Sequence, residues 1–219
     1  MIAKRKGGLQ TRDLFTACRE DWADEVEALL AAGASPLDKD ADTRTPLMVA
    51  ARHGAMQCLR VLLEHSAPLE AEDTSGHTAL IHAIKSRRTE AALWLIEKKA
   101  DVNHRDAASH TPLMAASEKG LVPVMEALIA RKADVDMVGA FGSNAMTIAA
   151  GQAETGALQC LIRHKAAPDI ARGAPAGPLH SAIAQGNREA VRLLLEAGAK
   201  VDDFPEKGLS PLGYAALWG

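Results

Sequence analysis

Apolar and polar positions alternate along this chain in two block sizes. A short block such as Leu47-Met48-Val49-Ala50-Ala51 predicts a narrow helix. After a break at 54, a second block predicts another helix, ending in Leu62-Leu63. A polar turn stretch such as Asp73-Thr74-Ser75-Gly76-His77 follows, and the order begins again. The short block starts at Thr45 and returns at Thr78 and Thr111. Weaker copies begin at Asn144, Gly177 and Ser210, and a divergent one at Arg12, each a step of 33 residues. An unbroken period of this length predicts an all-α solenoid, whose units bury their apolar faces only by stacking.

Register comparison adds local detail. Thr45, Thr78 and Thr111 stand where a hydroxyl can cap a helix N-terminus. Pro46 and Pro112 follow at the first helical position, where no amide proton is needed. Ala17, Ala50, Ala83, Ala116, Ala149, Ala182 and Ala215 share one register, so first helices can approach closely. Breaks after the first helix are expected at 54, 87, 120 and 186, and Ala34, Ala67, Ala100, Ala133, Ala166 and Ala199 close successive units. Copy five has Asn144, Ala145 and Met146 in place of Thr-Pro-Leu, and Gly151 and Gly156 as expected helix weakeners. It is expected to be the least stable unit.

The motif resembles the ankyrin repeat: a turn, a T-P-L-H-x-A helix, a Gly break, a second helix and an L-L-x-x-G-A-D-V-N tail. Leu95-Ile96-Glu97-Lys98-Lys99-Ala100-Asp101-Val102-Asn103 and Leu194-Leu195-Glu196-Ala197-Gly198-Ala199-Lys200-Val201-Asp202 carry the tail. The resemblance covers roughly 11–219. It implies an all-α solenoid of about six full repeats plus a C-terminal half repeat, with short β-turn fingers, as a single domain after a basic, flexible tail at 1–10. The family histidine survives only as His180. The helix-ending glycine survives at Gly33 and Gly198 but is Ser66, Lys99, Lys132 and Lys165 elsewhere. A left-handed cap without glycine costs roughly 1 kcal/mol each.

Composition narrows the function. Net charge is -3 and aromatics are 3%, which disfavours nucleic acid as a partner. There is no 18-residue apolar run for a membrane span and no secretory signal. Cys18, Cys58 and Cys160 sit at apolar registers and read as buried thiols of a reducing compartment. The expected location is cytoplasmic, with the nucleus open. His53, His77 and His110 invite a metal reading. However, packed helices lie about 8–10 Å apart and zinc needs its ligand nitrogens at about 2.0–2.1 Å, so a metal shared between copies is not expected. The same spacing removes Asp73 and Asp106 as a catalytic pair and leaves them bracing turns. Gly173-Ala174-Pro175-Ala176-Gly177 lacks the Lys-Ser/Thr of a phosphate loop. No catalytic residue, cofactor or metal is expected, and the chain reads as no enzyme.

The resemblance implies a non-catalytic protein-interaction module or adaptor that binds a partner segment on its concave finger and first-helix face. The matching partner-binding positions are Arg44, Arg52, His53, His77, Lys85, His110, Lys119 and Phe141, beside Asp42 and Glu118. Their balance leans basic in copies two to four and points to an acidic or mixed-charge protein segment, with Phe141 as an apolar anchor. The resemblance also implies a hydroxylation acceptor at Asn103; the alternative is an asparagine that closes a turn. The C-terminal half repeat, with Tyr214, Leu217 and Trp218, reads either as an abbreviated cap or self-association surface, or as the truncation of a longer protein. In the second case the repeats would regulate or target an enzyme such as a kinase, an acyltransferase or a ubiquitin-ligase subunit.

Overall fold

The computed structural model describes residues 13–169, 176–202 and 208–218, without the side chains of Phe141 and Trp218. The expected tail at 1–10, the start at Arg12, most of the Gly173–Gly177 loop, and Gly219 lie outside the described residues.

The 33-residue period becomes a series of helix pairs. They are α1 (Leu14–Arg19) with α2 (Ala23–Ala31), α3 (Pro46–His53) with α4 (Met56–Glu64), and α5 (Ala79–Lys85) with α6 (Thr89–Glu97). Next come α7 (Pro112–Lys119) with α8 (Val122–Ala130), α9 (Ala145–Ala150) with α10 (Gly156–Arg163), and α11 (Pro178–Ala184) with α12 (Arg188–Glu196); α13 (Pro211–Trp218) stands alone. First helices pack in an unbroken row from α1 to α13. In the second row α2 packs on α4, and α6 on α8 and then α10. Ala17, Ala50, Ala83, Ala116, Ala149 and Ala182 are all buried between these layers, whereas Ala215 is only half-buried. The alanine register is therefore what lets one helix backbone lie close against the next.

Capping follows the sequence with one exception. Thr45 accepts from the Met48 amide at 3.4 Å and Thr111 from that of Met114 at 3.3 Å. Thr78 makes no such bond, and its Oγ1 is buried without a partner. Both capping threonines precede proline, whose ring presets the first helical φ; Thr78 precedes Ala79. The left-handed closures are as expected. Ser66, Lys99, Lys132 and Lys165 all adopt positive φ, between 59° and 71°. Arg87 does the same at the break that glycine fills at 54, 120 and 186.

The copies are stitched at both edges. Backbone bonds join neighbouring finger tips, Ala107 N to Ser75 O at 2.9 Å and Ala140 N to Ala108 O at 3.1 Å. At the other edge one register position repeatedly accepts an amide from the next copy. Glu70 takes that of Asp101, Asn103 that of Asp134, Asp136 that of Ala167 and Asp169 that of Lys200, all at 2.8–3.0 Å.

Copy five departs from the sequence expectation in its details. Asn144 caps α9 by accepting from Thr147 N at 2.8 Å, a shorter bond than either threonine makes. Gly151 is the C-cap of α9 and Gly156 the first residue of α10, so neither weakens a helix interior. What distinguishes the copy is length. α9 has six residues against seven or eight in α3, α5 and α7, and a 3-10 turn (Ala140–Gly142) replaces the simple finger. Units held by neighbour contacts open locally where those contacts are fewest. Amide hydrogen exchange is therefore expected to be faster in 144–163 than in copies two to four. Uniform protection along the stack would contradict this.

Candidate partner-binding face

The fingers and the ends of the first helices share one edge of the stack. Each finger is braced by its own aspartate. Asp40 Oδ1 accepts from the Asp42 and Arg44 amides, Asp73 Oδ1 from those of Ser75 and His77, and Asp106 Oδ1 from those of Ala108 and His110. The aspartates read as turn braces are turn braces.

The structure separates the basic candidates into spent and available charges. Arg44 is spent: its guanidinium bonds Asp40 Oδ2 at 2.8 and 2.9 Å and Asp42 at 2.7 Å. Burial acts to raise the Asp40 pKa, but the Arg44 bonds outweigh it and hold the carboxyl below its ordinary range. Lys119 is paired with Glu118 at 2.7 Å. Lys85 is exposed and donates to His77 Nε2 at 2.9 Å. Arg52 is exposed, and among the described residues its guanidinium has no ion-pair partner. His53 lies beside it. Burial, and then the charges of Arg19, Arg52 and Arg88, lower the His53 pKa. Arg88 also reaches the Arg52 carbonyl, at 3.3 Å. Arg19 and Arg88 belong to this basic cluster, and the sequence reading did not single them out. The signal for Arg19 was its register, 33 residues before Arg52 and 66 before Lys85; Arg88, the N-cap of α6, carried no such signal.

His110 is half-buried, with its Nε2 3.5 Å from Ser143 Oγ. Phe141 lies in the 3-10 turn of finger five; its side chain lies outside the described residues.

His77 meets another histidine of its own copy, and here the spacing argument between copies did not apply. His82, buried on α5, bonds Asp73 Oδ2 at 2.9 Å, and His77 Nδ1 is 3.7 Å from the same oxygen. His77 Nε2 is 3.4 Å from Asp106 Oδ2, and the two imidazoles meet edge to face, 5.6 Å apart. Burial lowers both histidines, with Lys85 next for His77. Burial would raise Asp73, but the amide bonds and His82 together hold it low. The sequence reading missed His82. Its signal was a polar residue at the register filled by Val49, Ala115, Ile148 and Ser181. Donor atoms of Asp73, His77 and His82 lie within 4.8 Å of one another, as do those of Glu126, Cys160 and His164 on the second-helix side.

Asn103 is a stitch between copies. Its Oδ1 accepts from Asp134 N at 2.8 Å and its Nδ2 donates to Lys132 O at 3.1 Å. Cys18, Cys58 and Cys160 are buried and unpaired by disulfides. Leu212 and Leu217 of α13 are 66% and 70% exposed. Among the described residues no helix is long and apolar enough to cross a membrane.

A family model described as ankyrin repeats (three copies) matches residues 14–106 and 113–205. No curated protein matches the chain. Among solved structures, the ankyrin repeat domain of human ASB11 is similar with a TM-score of 0.82, over 92% of this chain and 90% of that one, at 24% sequence identity. At that identity the likeness carries the fold alone.

Proposed function

The chain belongs to the ankyrin-repeat family, and from that premise we propose that it is a non-catalytic binding module whose finger and first-helix face grips an acidic or mixed-charge segment of another protein. Members of this family are generally protein-interaction modules, and recognition sits on surface side chains that the scaffold leaves free to vary. The observation that carries the reading is the exposed Arg52, whose guanidinium has no ion-pair partner among the described residues and whose carbonyl accepts from Arg88 Nε at 3.3 Å. Like charges held together on a surface are costly alone and favourable against carboxylates. Lys85 extends the cluster to copy three, and its bond to neutral His77 leaves its charge uncancelled. Arg44 and Lys119, already neutralised, belong to the scaffold more than to the binding charge.

The test compares partners captured by the wild type with those captured by an Arg52→Glu/Lys85→Glu variant and by a variant that also carries Phe141→Ala. Charge reversal is expected to slow association by roughly tenfold at low salt and to flatten its salt dependence. Removal of Phe141 is expected to act on dissociation, as apolar anchors do. Equal capture and equal rates across all three proteins would overturn the assignment of this face.

A further inference from the structure

The second-helix side of the stack holds a cluster of mixed donors across the joint between copies four and five. Glu126 belongs to α8; Cys160 lies on α10 and His164 is its C-cap, so the last two stand one turn apart on the same face. Cys160 Sγ donates to Glu126 Oε1 at 3.5 Å, and His164 Nε2 bonds Oε2 at 2.6 Å. Arg163 also reaches Oε1, at 2.8 Å. The Glu126 and His164 side chains are about a third exposed, so the cluster opens to solvent.

The repeat supplies an internal comparison. Three copies upstream, the joint between copies one and two has the same pair, Glu27 Oε1 and His65 Nε2 at 3.1 Å. The residue there in the register of Cys160 is Val61. A Glu–His bond between second helices is therefore a stacking device used at two joints. Only at the later joint does a thiol convert it into carboxylate, imidazole and sulfur, the donor types zinc selects. A tetrahedral zinc with bonds of about 2.0–2.3 Å holds its donors about 3.3–3.6 Å apart. The Sγ to Oε1 distance already fits. The His164 contact must widen, which takes only rotation of a partly exposed glutamate. Arg163 is 64% exposed and free to swing away.

We propose that Glu126, Cys160 and His164 bind a zinc ion, with solvent as the fourth ligand, and that the ion clips copy four to copy five; the spacing that argues against a metal between equivalent registers of neighbouring copies does not hold here, because Glu126 meets residues 34 and 38 positions on. The ion replaces the thiol proton, which is released to solvent as the sulfur–zinc bond forms. Zinc affinity therefore falls as pH is lowered, because protons compete for the sulfur.

The experiment titrates the full reduced chain with cobalt(II) and then with zinc. The expected result is a single site with a thiolate-to-cobalt charge-transfer band, bleached by zinc, and a rise in melting temperature with zinc. Cys160→Val copies the residue of the earlier joint. It is expected to keep the fold and to lose both the band and the zinc-dependent rise. Glu126→Gln is expected to weaken zinc by roughly tenfold or more. Val61→Cys transplants the thiol beside Glu27 and His65 and is expected to add a second, equivalent site. The absence of a band in the wild type would overturn the proposal. A band that survives Cys160→Val would place the sulfur elsewhere and also overturn it, as would zinc binding lost in His82→Asn but not in Cys160→Val.

Discussion

Replacing Ala83 by leucine is expected to destabilise the stack by about 3 kcal/mol, the upper part of the range for overpacking a well-filled core. Ala83 is fully buried on α5, between α3 and α7. The added side chain would have to push a first helix away from its neighbour, because the register neighbours Ala50 and Ala116 are themselves buried at the same contact. In a stack held by neighbour interfaces, a spoiled interface also uncouples the two sides. Urea unfolding followed by circular dichroism is therefore expected to show an earlier and broader transition, with the N-terminal and C-terminal parts melting separately. The same substitution at Ala215 is expected to cost little, since that alanine is half-buried on the last helix. A stable, cooperative Ala83→Leu protein would refute the idea that small residues set the helix spacing.

Asp73→Ala is expected to cost a comparable amount, about 3 kcal/mol. The carboxylate holds two finger amides through Oδ1 and the buried His82 through Oδ2. Hydrogen bonds to a charged group contribute about 1.5–3 kcal/mol, and the loss of the carboxylate leaves the buried His82 without its partner. Finger three also accepts from the next finger, Ser75 O from the Ala107 amide, so its loss reaches copy four. Gly76 shows how close that contact is: a Cβ there would lie 2.7 Å from Ala107 N.

The same network gives a pH signature. His77 and His82 have folded-state pKa values below their ordinary 6.5, so the unfolded chain takes up protons first. Their contribution is fully present above about 6.5 and is lost as pH falls through the lower folded values. Asp40 and Asp73, also held below the ordinary 3.8, add a second loss at more acidic pH. Melting temperature is thus expected to fall in two stages on acidification. His82→Asn should flatten the first stage and leave the second in place. A first stage unchanged in that variant would show that the histidines do not drive it.

These results separate two kinds of legibility. The period, the helix pairs, the capping at Thr45 and Thr111, and the left-handed closures at Ser66, Lys99, Lys132 and Lys165 all follow from residues within one copy, so they were readable in the sequence. The same holds for the aspartates as turn braces, since each bonds amides two and four residues on. The binding face was readable only as a set of positions. Whether a lysine or arginine there is free depends on where neighbouring carboxylates fall: Arg44 is spent on Asp40 and Asp42, and Arg52 is not. His82 was missed because its meaning lies in its approach to a finger nine residues upstream.

By itself, then, the sequence determined the scaffold, because helix and turn propensities act over a few residues and repeat with the 33-residue period. Only the tertiary structure decided which charges are available, which thiol meets a Glu–His pair, and that copy five is short rather than glycine-weakened. The Glu126 cluster depends on residues 34 and 38 apart, where stacking sets a contact and a single register change, such as Val61 to Cys160, alters its chemistry; the pairing of Arg44 and Lys119 is local but depends on side-chain placement that helix and turn propensities do not fix.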